Sequence, residues 1–285
     1  MVFGFRRGGA CRLPPMLSGV HEGLPYKIPT LNTKNHNKYE RTKNYDSSCW
    51  QYNQRAEIMS QAGKLYLVST PIGNLEDITL RALRILKEAD LIAAEDTRHT
   101  SNLLKHYQIS KPLISYHDFN KEKRAPELID LLKQGKSLAI VSDAGTPGIS
   151  DPCYLLVKLA IQDNIEIVPI PGATAFVSAL IVSGLPTDRF VFEGFLPSKE
   201  GRKKRRLEEL ANDKRTIILY ESPHRLIKSL NQIKEILGDR NIVLARELTK
   251  KFEEIKRGKI SQLIDFFSHS KIKGEIVVLV EGKGN

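Results

Sequence analysis

The stretch that most constrains the fold runs from Ser137 to Pro152, where a short apolar run breaks into a loop rich in Gly, Pro, Ser and Asp. The apolar run, Leu-Ala-Ile-Val, lacks polar alternation, which is typical of a parallel strand buried on both faces. Ligands of parallel sheets bind just beyond the carboxyl ends of the strands. We therefore predict a binding loop over Ser142–Ser150, although an ordinary strand-to-helix connection uses the same residue types.

Residue types within this loop suit a ligand site. Gly145 and Gly148 allow the backbone to approach a ligand closely, and Thr146 offers a hydroxyl. The pair Asp151-Pro152 is typical of a helix start, with the aspartate as N-cap and the proline at the first helical position.

Strand and helix patterns alternate from Lys64 onward. Apolar runs predict strands at Leu65–Ser69, Leu91–Ala94, Leu113–Tyr116 and Glu166–Ile170, and a helix is expected over about Pro126–Gln134. Polar clusters follow four successive strands. The alternation predicts an α/β fold of two α/β domains with mostly parallel or mixed sheets, over residues 63–172 and 173–285.

The first 62 residues differ from the rest, because Asn, Lys, Tyr, Pro and Arg are scattered there without a helical or strand period. We interpret residues 1–62 as a disordered extension. Its arginines also resemble those of a transit peptide, without the amphipathic pattern. A third interpretation, which we prefer, is that translation starts at Met59.

Composition narrows the class of protein. A hydrophobic content of 41% over 285 residues supports a sizeable core, and no run approaches the ~20 apolar residues of a membrane span. Three scattered cysteines without a CxxC pair indicate neither a disulfide framework nor a zinc site. We expect a cytoplasmic protein without membrane partners. The net charge of +11 favours a polyanionic partner, nucleic acid ahead of an anionic membrane surface, unless it serves solubility alone.

Nucleotide signatures of other enzyme classes are missing. The sequence contains no GxGxxG, no GxxxxGK[ST] and no His/Cys cluster at metal-ligand spacing, so we expect no metal. Loops rich in Gly, Pro, Ser and Thr, with carboxylates nearby, would suit a polar cofactor carrying a positive charge, such as a sulfonium nucleoside. Many other small molecules fit the same description.

Six motifs carry a resemblance to a known family. They are Thr70–Asn74, Ala94–His99, Val141–Pro147, Phe192–Pro197, Tyr220–Arg225 and Ala245–Lys250. Together they resemble the ribosomal RNA small-subunit methyltransferase I family of the tetrapyrrole-methylase superfamily, in the correct order over about Lys64–Gly282. The N-terminal extension departs from the pattern, and Cys153 stands where the family usually has Gly.

The resemblance implies S-adenosylmethionine as methyl donor, bound in a cleft between the two α/β domains of the chain. It also implies a homodimer. The implied acceptor is the ribose 2'-hydroxyl of a cytidine in the decoding region of small-subunit (16S) ribosomal RNA, as free RNA or in the small ribosomal subunit. The positions that match cofactor contacts are Pro71, Asp143, Ala144, Gly145, Ile149, Thr174, Ala175, Tyr220, Arg246 and Glu247. For each residue, turn formation or packing is the structural alternative.

A run of cations predicts the RNA contact. It comprises Lys199, Arg202, Lys203, Lys204, Arg205 and Arg206. Five consecutive cations at a helix start cover most of its circumference, so we expect phosphate contacts that position RNA without reading its sequence. A solvated basic surface is the alternative.

Three residues are candidates for the chemistry of methyl transfer. Asp96 follows the second strand and is the first candidate for the base that accepts the ribose proton, with Arg98 orienting it or a phosphate. His117, after the next strand, is the second, since imidazole suits proton transfer near neutral pH. The structural alternative is that Asp96 caps the following helix or pairs with Arg98.

Two other functions compete with RNA methylation. The same scaffold would support carbon methylation of a tetrapyrrole, although the motifs Ala94–His99 and Tyr220–Arg225 match the RNA branch. A non-catalytic RNA-binding protein with this fold is the third possibility.

Overall fold

The computed structural model describes residues 62–269 and 272–284. The predicted disordered extension over residues 1–62 lies outside the described residues, except for Ala62 at its end. Within the described ranges, none of the helices combines the length and the apolar character needed to cross a membrane.

The first sheet is wholly parallel. Its strands are β1 (Lys64–Val68), β2 (Leu91–Ala94), β3 (Leu113–Ser115), β4 (Leu138–Val141) and β5 (Glu166–Ile170). They lie in the order β3-β2-β4-β1-β5, and every neighbouring pair is parallel. The four helices that follow β1 to β4 are α1 (Leu80–Glu88), α2 (Thr97–His106), α3 (Lys121–Lys133) and α4 (Cys153–Gln162).

Strand β4 is buried on both faces, as its apolar run predicts. Leu138 and Ile140 pack with residues of α3 and α4, while Ala139 and Val141 pack with residues of α1 and α2. Each Val, Leu or Ile side chain buried in this way contributes about 1.5–3 kcal/mol to folding. Helices on both faces therefore stabilise the central strand and fix its carboxyl end.

Two helix starts differ from the sequence prediction. Helix α3 begins at Lys121 and contains Pro126, because the backbone N–H of Arg124 donates to the carbonyl oxygen of Asn120 (2.9 Å) and starts the helix earlier. Helix α4 begins at Cys153, after Pro152. The N-cap is therefore Pro152 and not Asp151, although the Asp151 carboxylate accepts the N–H groups of Cys153 (2.9 Å) and Gly148 (2.7 Å).

Cys153 lies in the core at the start of α4. Its side chain is 1% exposed and belongs to the apolar cluster that contains Tyr116 and Leu156. Burial raises the pKa of the Cys153 thiol to about 12, so the thiol stays protonated at neutral pH.

The second half forms a mixed sheet. The elements of this half are, in chain order, α5 (Ala175–Ser183), β6 (Phe190–Phe195), α6 (Glu200–Leu210), β7 (Thr216–Glu221), α7 (Leu226–Leu237), β8 (Asn241–Arg246), β9 (Glu254–Lys259), α8 (Ile260–Ser268) and β10 (Ile276–Val280). The strand order is β6-β7-β10-β8-β9; β6 and β7 are parallel, and the other neighbours are antiparallel.

The two faces of the second sheet pack differently. Helices α6, α7 and α8 cover one face. On the other face, Leu180 of α5 clusters with Ile218 and Val243, and Ile72 from the loop after β1 joins the same cluster. This face therefore contacts the carboxyl edge of the first sheet. The domain boundary between residues 172 and 173 stays a prediction.

Candidate active site

The carboxyl ends of the five parallel strands form a row along one edge of the first sheet. In spatial order the residues after these ends are His117, then Glu95 and Asp96, then the loop 142–145, then Ser69 with Thr70, and finally the turn 171–174. Strand order thus brings together polar segments that are far apart in sequence.

A cavity of about 330 Å³ lies between the ends of β4, β1 and β5 and the second sheet. Six of the predicted cofactor residues line it: Ala144, Gly145, Ile149, Thr174, Ala175 and Tyr220. Ile72 and Thr146 also line it from the first half, and Glu221, Ser222 and Gly274 from the second. The sequence did not single out Glu221 or Gly274 as site residues.

Hydroxyl groups join the three strand ends beneath the cavity. The Oγ1 atom of Thr146 lies 3.0 Å from Ser69 Oγ and 2.7 Å from Thr174 Oγ1, and it donates to the carbonyl oxygen of Ala173 (3.1 Å). Thr146 therefore has a structural role as well as a surface on the cavity.

Gly145 occupies the tightest point of the loop. It exchanges two backbone hydrogen bonds with Thr70, of 2.8 and 3.2 Å, and has a φ of +87°. A Cβ atom there would lie 3.3 Å from Ile72 Cγ2 and 3.5 Å from the carbonyl oxygen of Ala173. The glycine thus keeps backbone, without a side chain, against the cavity.

The opposite wall of the cavity comes from the end of β7. Tyr220 packs edge-on against Phe192 and Phe195, with ring centroids 5.0 and 5.5 Å away, and burial raises the pKa of its hydroxyl. The next side chain, Glu221, is 3% exposed. Its carboxylate accepts hydrogen bonds from Ser229 Oγ and from the Ser222 N–H (2.9 Å).

The remaining predicted cofactor residues do not line the cavity. Pro71 is buried beside it, and the Oδ1 atom of Asp143 accepts the backbone N–H of Asp96 (2.9 Å). Arg246 pairs with Glu254 at 2.9 Å, and Glu247 with Lys250 at 3.0 Å.

Glu247 nevertheless supports the cavity wall. A Cβ atom on Gly274 would lie 2.3 Å from Glu247 Oε1, so the Glu247 side chain packs directly behind this lining residue.

In the structure, Asp96 caps helix α2 and pairs with Arg98. Asp96 Oδ1 accepts the backbone N–H of Arg98 (2.8 Å) at the start of α2, and Asp96 Oδ2 pairs with the Arg98 guanidinium (3.0 Å). The hydrogen bonds from Arg98 lower the pKa of Asp96 to about 2. Such a carboxylate is a weak proton acceptor.

His117 lies in a turn held by Asn120. The Asn120 Oδ1 atom accepts the backbone N–H of His117 (2.9 Å), and Asn120 Nδ2 lies 3.3 Å from His117 Nε2. In the described part of the chain, His117 Nδ1 is one of four buried side-chain atoms without a hydrogen-bond partner. Neither His117 nor Asp96 lines the cavity.

Glu95 is a further site residue that sequence reasoning did not select, although it lies within the Ala94–His99 motif. Burial first, and then the charge of Asp143, raise the pKa of the Glu95 carboxyl. The neighbouring carboxylates Asp151 and Asp118 act in the same direction.

Lys203 requires a correction to the predicted RNA surface. Lys203 lies on the buried face of α6 and is 3% exposed, and its Nζ atom donates to Ser229 Oγ of α7 (2.8 Å). Burial lowers the pKa of this ammonium. A buried lysine cannot contact a phosphate, so Lys203 belongs to the Ser229–Glu221 network behind the cavity wall.

The other predicted cations differ in how available they are. Arg206 pairs with Glu193 (2.7 Å) and Glu209 (2.6 Å). Four are exposed: Lys199, Arg202, Lys204 and Arg205. These four side chains give α6 and its N-terminus a basic surface.

Within residues 62–269 and 272–284, no group of three or more His, Cys, Asp or Glu side chains is placed to hold a metal ion.

The fold and the cavity define a class of protein. Residues 64–264 match the family model of the Tetrapyrrole (Corrin/Porphyrin) Methylases. The structure resembles that of a cobalamin biosynthetic enzyme, cobalt precorrin-4 methyltransferase, with a TM-score of 0.58 and 21% identity over 80% of this chain and 96% of that chain. It also resembles uroporphyrin-III-C-methyltransferase from Thermus thermophilus, with a TM-score of 0.55 and 21% identity over 76% and 94% of the two chains.

Sequence comparison identifies the branch. The ribosomal RNA small subunit methyltransferase I of Halalkalibacterium halodurans is 54% identical over 78% of this chain and 77% of its own length. The protein of the same name from Thermotoga maritima is 52% identical over 78% of this chain and 99% of its own length. The chain belongs to the ribosomal RNA small subunit methyltransferase I family.

Proposed function

We propose that this protein transfers the methyl group of S-adenosylmethionine to the ribose 2'-hydroxyl of a cytidine in the decoding region of small-subunit (16S) ribosomal RNA. The names of its relatives support ribosomal RNA as the substrate class. The cytidine and its 2'-hydroxyl rest on the resemblance of the six motifs.

The residues that line the cavity support S-adenosylmethionine as its ligand. The Gly145 backbone allows close approach, the Thr174 hydroxyl can form a hydrogen bond in addition to the one with Thr146, and Tyr220 gives an aromatic wall. Carboxylates of Glu221 and Glu275 line the second-sheet side, where Glu221 lies 3.4 Å from the Arg225 guanidinium and Glu275 pairs with Lys250 at 3.0 Å. When bound, S-adenosylmethionine supplies an electrophilic methyl group.

The observation that carries the proposal is the position of the cavity within the row of strand ends. It lies at the ends of β4, β1 and β5, which leaves the adjoining ends of β2 and β3 for the acceptor. Asp143 bridges the two regions through its bond with the Asp96 N–H. Methyl transfer needs alignment of donor and acceptor, and adjacent positions on one rigid edge provide it.

His117 is the proton acceptor that we propose for the ribose hydroxyl, through Nε2, because Nδ1 is buried and the two N–H groups of Asn120 Nδ2 donate to Ser115. Asp96, with a pKa of about 2, is too weak a base, and its pairing with Arg98 suits a positioning role. In single-turnover experiments, His117→Ala should slow transfer by about 10²-fold or more, while Asp96→Asn stays within about threefold of wild type. The reverse ranking would restore Asp96 as the base.

The exposed cations of α6 supply the phosphate contacts in this proposal. Lys199, Arg202, Lys204 and Arg205 are free of the buried network that holds Lys203. They would bind the RNA backbone without selecting a sequence.

One experiment separates this function from its rivals. Purified protein is incubated with methyl-labelled S-adenosylmethionine and either small ribosomal subunits, free 16S RNA or uroporphyrinogen, and the products are mapped for ribose methylation. Label on a decoding-region cytidine is the expected result. Transfer only to the tetrapyrrole, or cofactor binding without transfer, would reject the proposal.

A cytoplasmic homodimer is part of the proposal, as the family resemblance implies. Sedimentation of the purified chain should give twice the 32.2 kDa mass of one chain. A monomer that retains full activity would remove the dimer from the proposal.

A further inference from the structure

Two aromatic side chains are exposed beside the β2–β3 end of the row. Phe119, in the loop after β3, is 99% exposed, and Tyr154, in the first turn of α4, is 73% exposed. Their two segments meet where the Tyr116 hydroxyl donates to the carbonyl oxygen of Pro152 (3.3 Å). Both aromatic residues therefore flank one contact at the active edge of the sheet.

The loop that carries Phe119 is held rigidly. The Asn120 Nδ2 atom donates to the carbonyl oxygen of Ser115 (3.2 Å) and to Ser115 Oγ (3.1 Å). The backbone N–H groups of Asn120 and Lys121 both donate to the carbonyl oxygen of His117 (3.0 Å each). Phe119 is thus presented to solvent by a preorganised turn, with its ring edge-on to His117 at 6.1 Å.

The surroundings of Phe119 indicate what kind of ligand it contacts. Asp118 and Lys123 are exposed beside it, and Lys121 pairs with Asp118 at 2.9 Å. The centre of a protein–protein interface is contiguous, apolar and depleted of charge. A single aromatic ring among charged side chains instead suits a flat ligand with polar edges, and a nucleobase has this character.

A positive charge near Phe119 also favours a nucleic acid as the ligand. The Arg98 side chain, at the neighbouring strand end, is 90% exposed although it pairs with Asp96, so its remaining N–H groups face solvent. Unpaired RNA is commonly bound by aromatic rings that stack on bases together with cations that contact phosphates.

We propose that Phe119 and Tyr154 form a stacking platform for nucleobases next to the methylated nucleotide. This inference rests on the proposed function, because it requires RNA as the substrate. The platform holds the strand splayed, so that one ribose reaches the gap between His117 and the cavity. The platform therefore determines how the acceptor nucleotide is presented, while α6 holds the backbone.

The test compares Phe119→Ala, Tyr154→Ala and Phe119→Trp with wild type. Phe266→Ala is the matched control, because Phe266 is 47% exposed on α8 and contacts Lys256 instead of the active edge. The readouts are methyl transfer to small ribosomal subunits and the anisotropy of a labelled single-stranded oligoribonucleotide spanning the methylated site.

Each alanine variant should bind the oligoribonucleotide about 5- to 150-fold more weakly, the range for loss of one base–aromatic stack. Affinity for S-adenosylmethionine should stay unchanged, Phe119→Trp should restore binding, and Phe266→Ala should behave as wild type.

Three outcomes would overturn the inference. Wild-type RNA affinity in both alanine variants would remove the platform. A change from dimer to monomer in sedimentation would assign the surface to a second copy of the chain. Equal loss in Phe119→Trp and Phe119→Ala would deny a role for the aromatic ring. If wild type itself transfers no methyl group to ribosomal RNA, the proposed function fails instead.

Discussion

Two features restrict which residue position 145 can hold: its positive φ and the small space around a Cβ atom. We expect Gly145→Val to lower the affinity for S-adenosylmethionine at least about tenfold, because valine is strained at a φ of +87° and its Cβ would lie 3.3 Å from Ile72 Cγ2. Titration calorimetry measures the affinity.

Gly184→Val is the control for backbone strain. Gly184 has a φ of +78° at the end of α5, but a Cβ atom there has no neighbour within 4 Å. It should lose stability without losing cofactor affinity. Equal cofactor affinity in Gly145→Val and wild type would remove this loop from the binding site.

Asp96 predicts a pH dependence of stability. Its pKa falls from 3.8 to about 2 on folding, so the charged form stabilises the fold above about pH 4, and this contribution disappears as the pH falls through 2. Asn at this position keeps a cap acceptor but loses the charge. The difference in unfolding free energy between wild type and Asp96→Asn should therefore shrink from pH 6 to pH 3 in urea titrations. A constant difference would contradict the ion pair with Arg98.

Helix α6 combines a basic surface with one buried cation. Replacing Arg202, Lys204 and Arg205 by Ala should weaken RNA binding and reduce the slope of log affinity against log salt by about 2, since each contact with single-stranded RNA contributes about 0.7. Binding isotherms between 50 and 200 mM salt, roughly the range where such slopes are measured, give this slope.

Two controls accompany the α6 triple variant. Alanines at Lys87, Lys133 and Lys136, three exposed cations near the opposite edge of the first sheet, should leave the slope unchanged. Lys203→Met should also keep the slope but lose about 1–3 kcal/mol of stability, because Ser229 Oγ loses the donor Lys203 Nζ and Glu221 loses a nearby positive charge. This assignment of RNA contact to the exposed cations and of a structural role to Lys203 would be rejected by either of two results. One is a changed salt slope in Lys203→Met, and the other is an unchanged salt slope in the triple variant.

The sequence contained the signal for the buried lysine. Lys203, Leu207 and Leu210 have the i, i+4, i+7 spacing of one helix face, and all three are buried. The charge of the run Arg202–Arg206 predicts exposure, whereas the helical spacing predicts burial of Lys203, and the spacing is correct. The unbroken apolar run predicted the buried strand β4 correctly, because few structures other than a strand covered on both faces bury such a run.

Other parts of the site were less accessible to sequence reasoning. Glu221 and Gly274 line the cavity because β10 inserts between β7 and β8, and strand pairing over such separations leaves no local pattern. The roles of Asp96 and Arg98 depend on side-chain geometry, which a motif does not encode. Sequence thus predicted the loop of the first sheet better than the wall of the second.

At the scale of the whole molecule, the described fold is built from residues after Met59. Both sheets and the apolar clusters of the described ranges use residues 64–280. A chain that starts at Met59 should keep the thermal midpoint and the methyl-transfer rate of the full chain, measured by calorimetry and by transfer to small ribosomal subunits. Loss of folded protein on truncation would show that residues 1–58 take part in the core.

The burial of Cys153 makes such a shortened chain useful for spectroscopy. Cys11 and Cys49 are removed with the first 58 residues, so Cys153 is then the single cysteine of the sequence. Its thiol is enclosed and protonated at neutral pH, and maleimide reagents require an accessible thiolate. A cysteine introduced at Lys87, which is exposed and lies outside the proposed RNA contacts, would take a fluorescent dye selectively. The approach of a ribosomal particle could then be followed by energy transfer without first removing a native thiol.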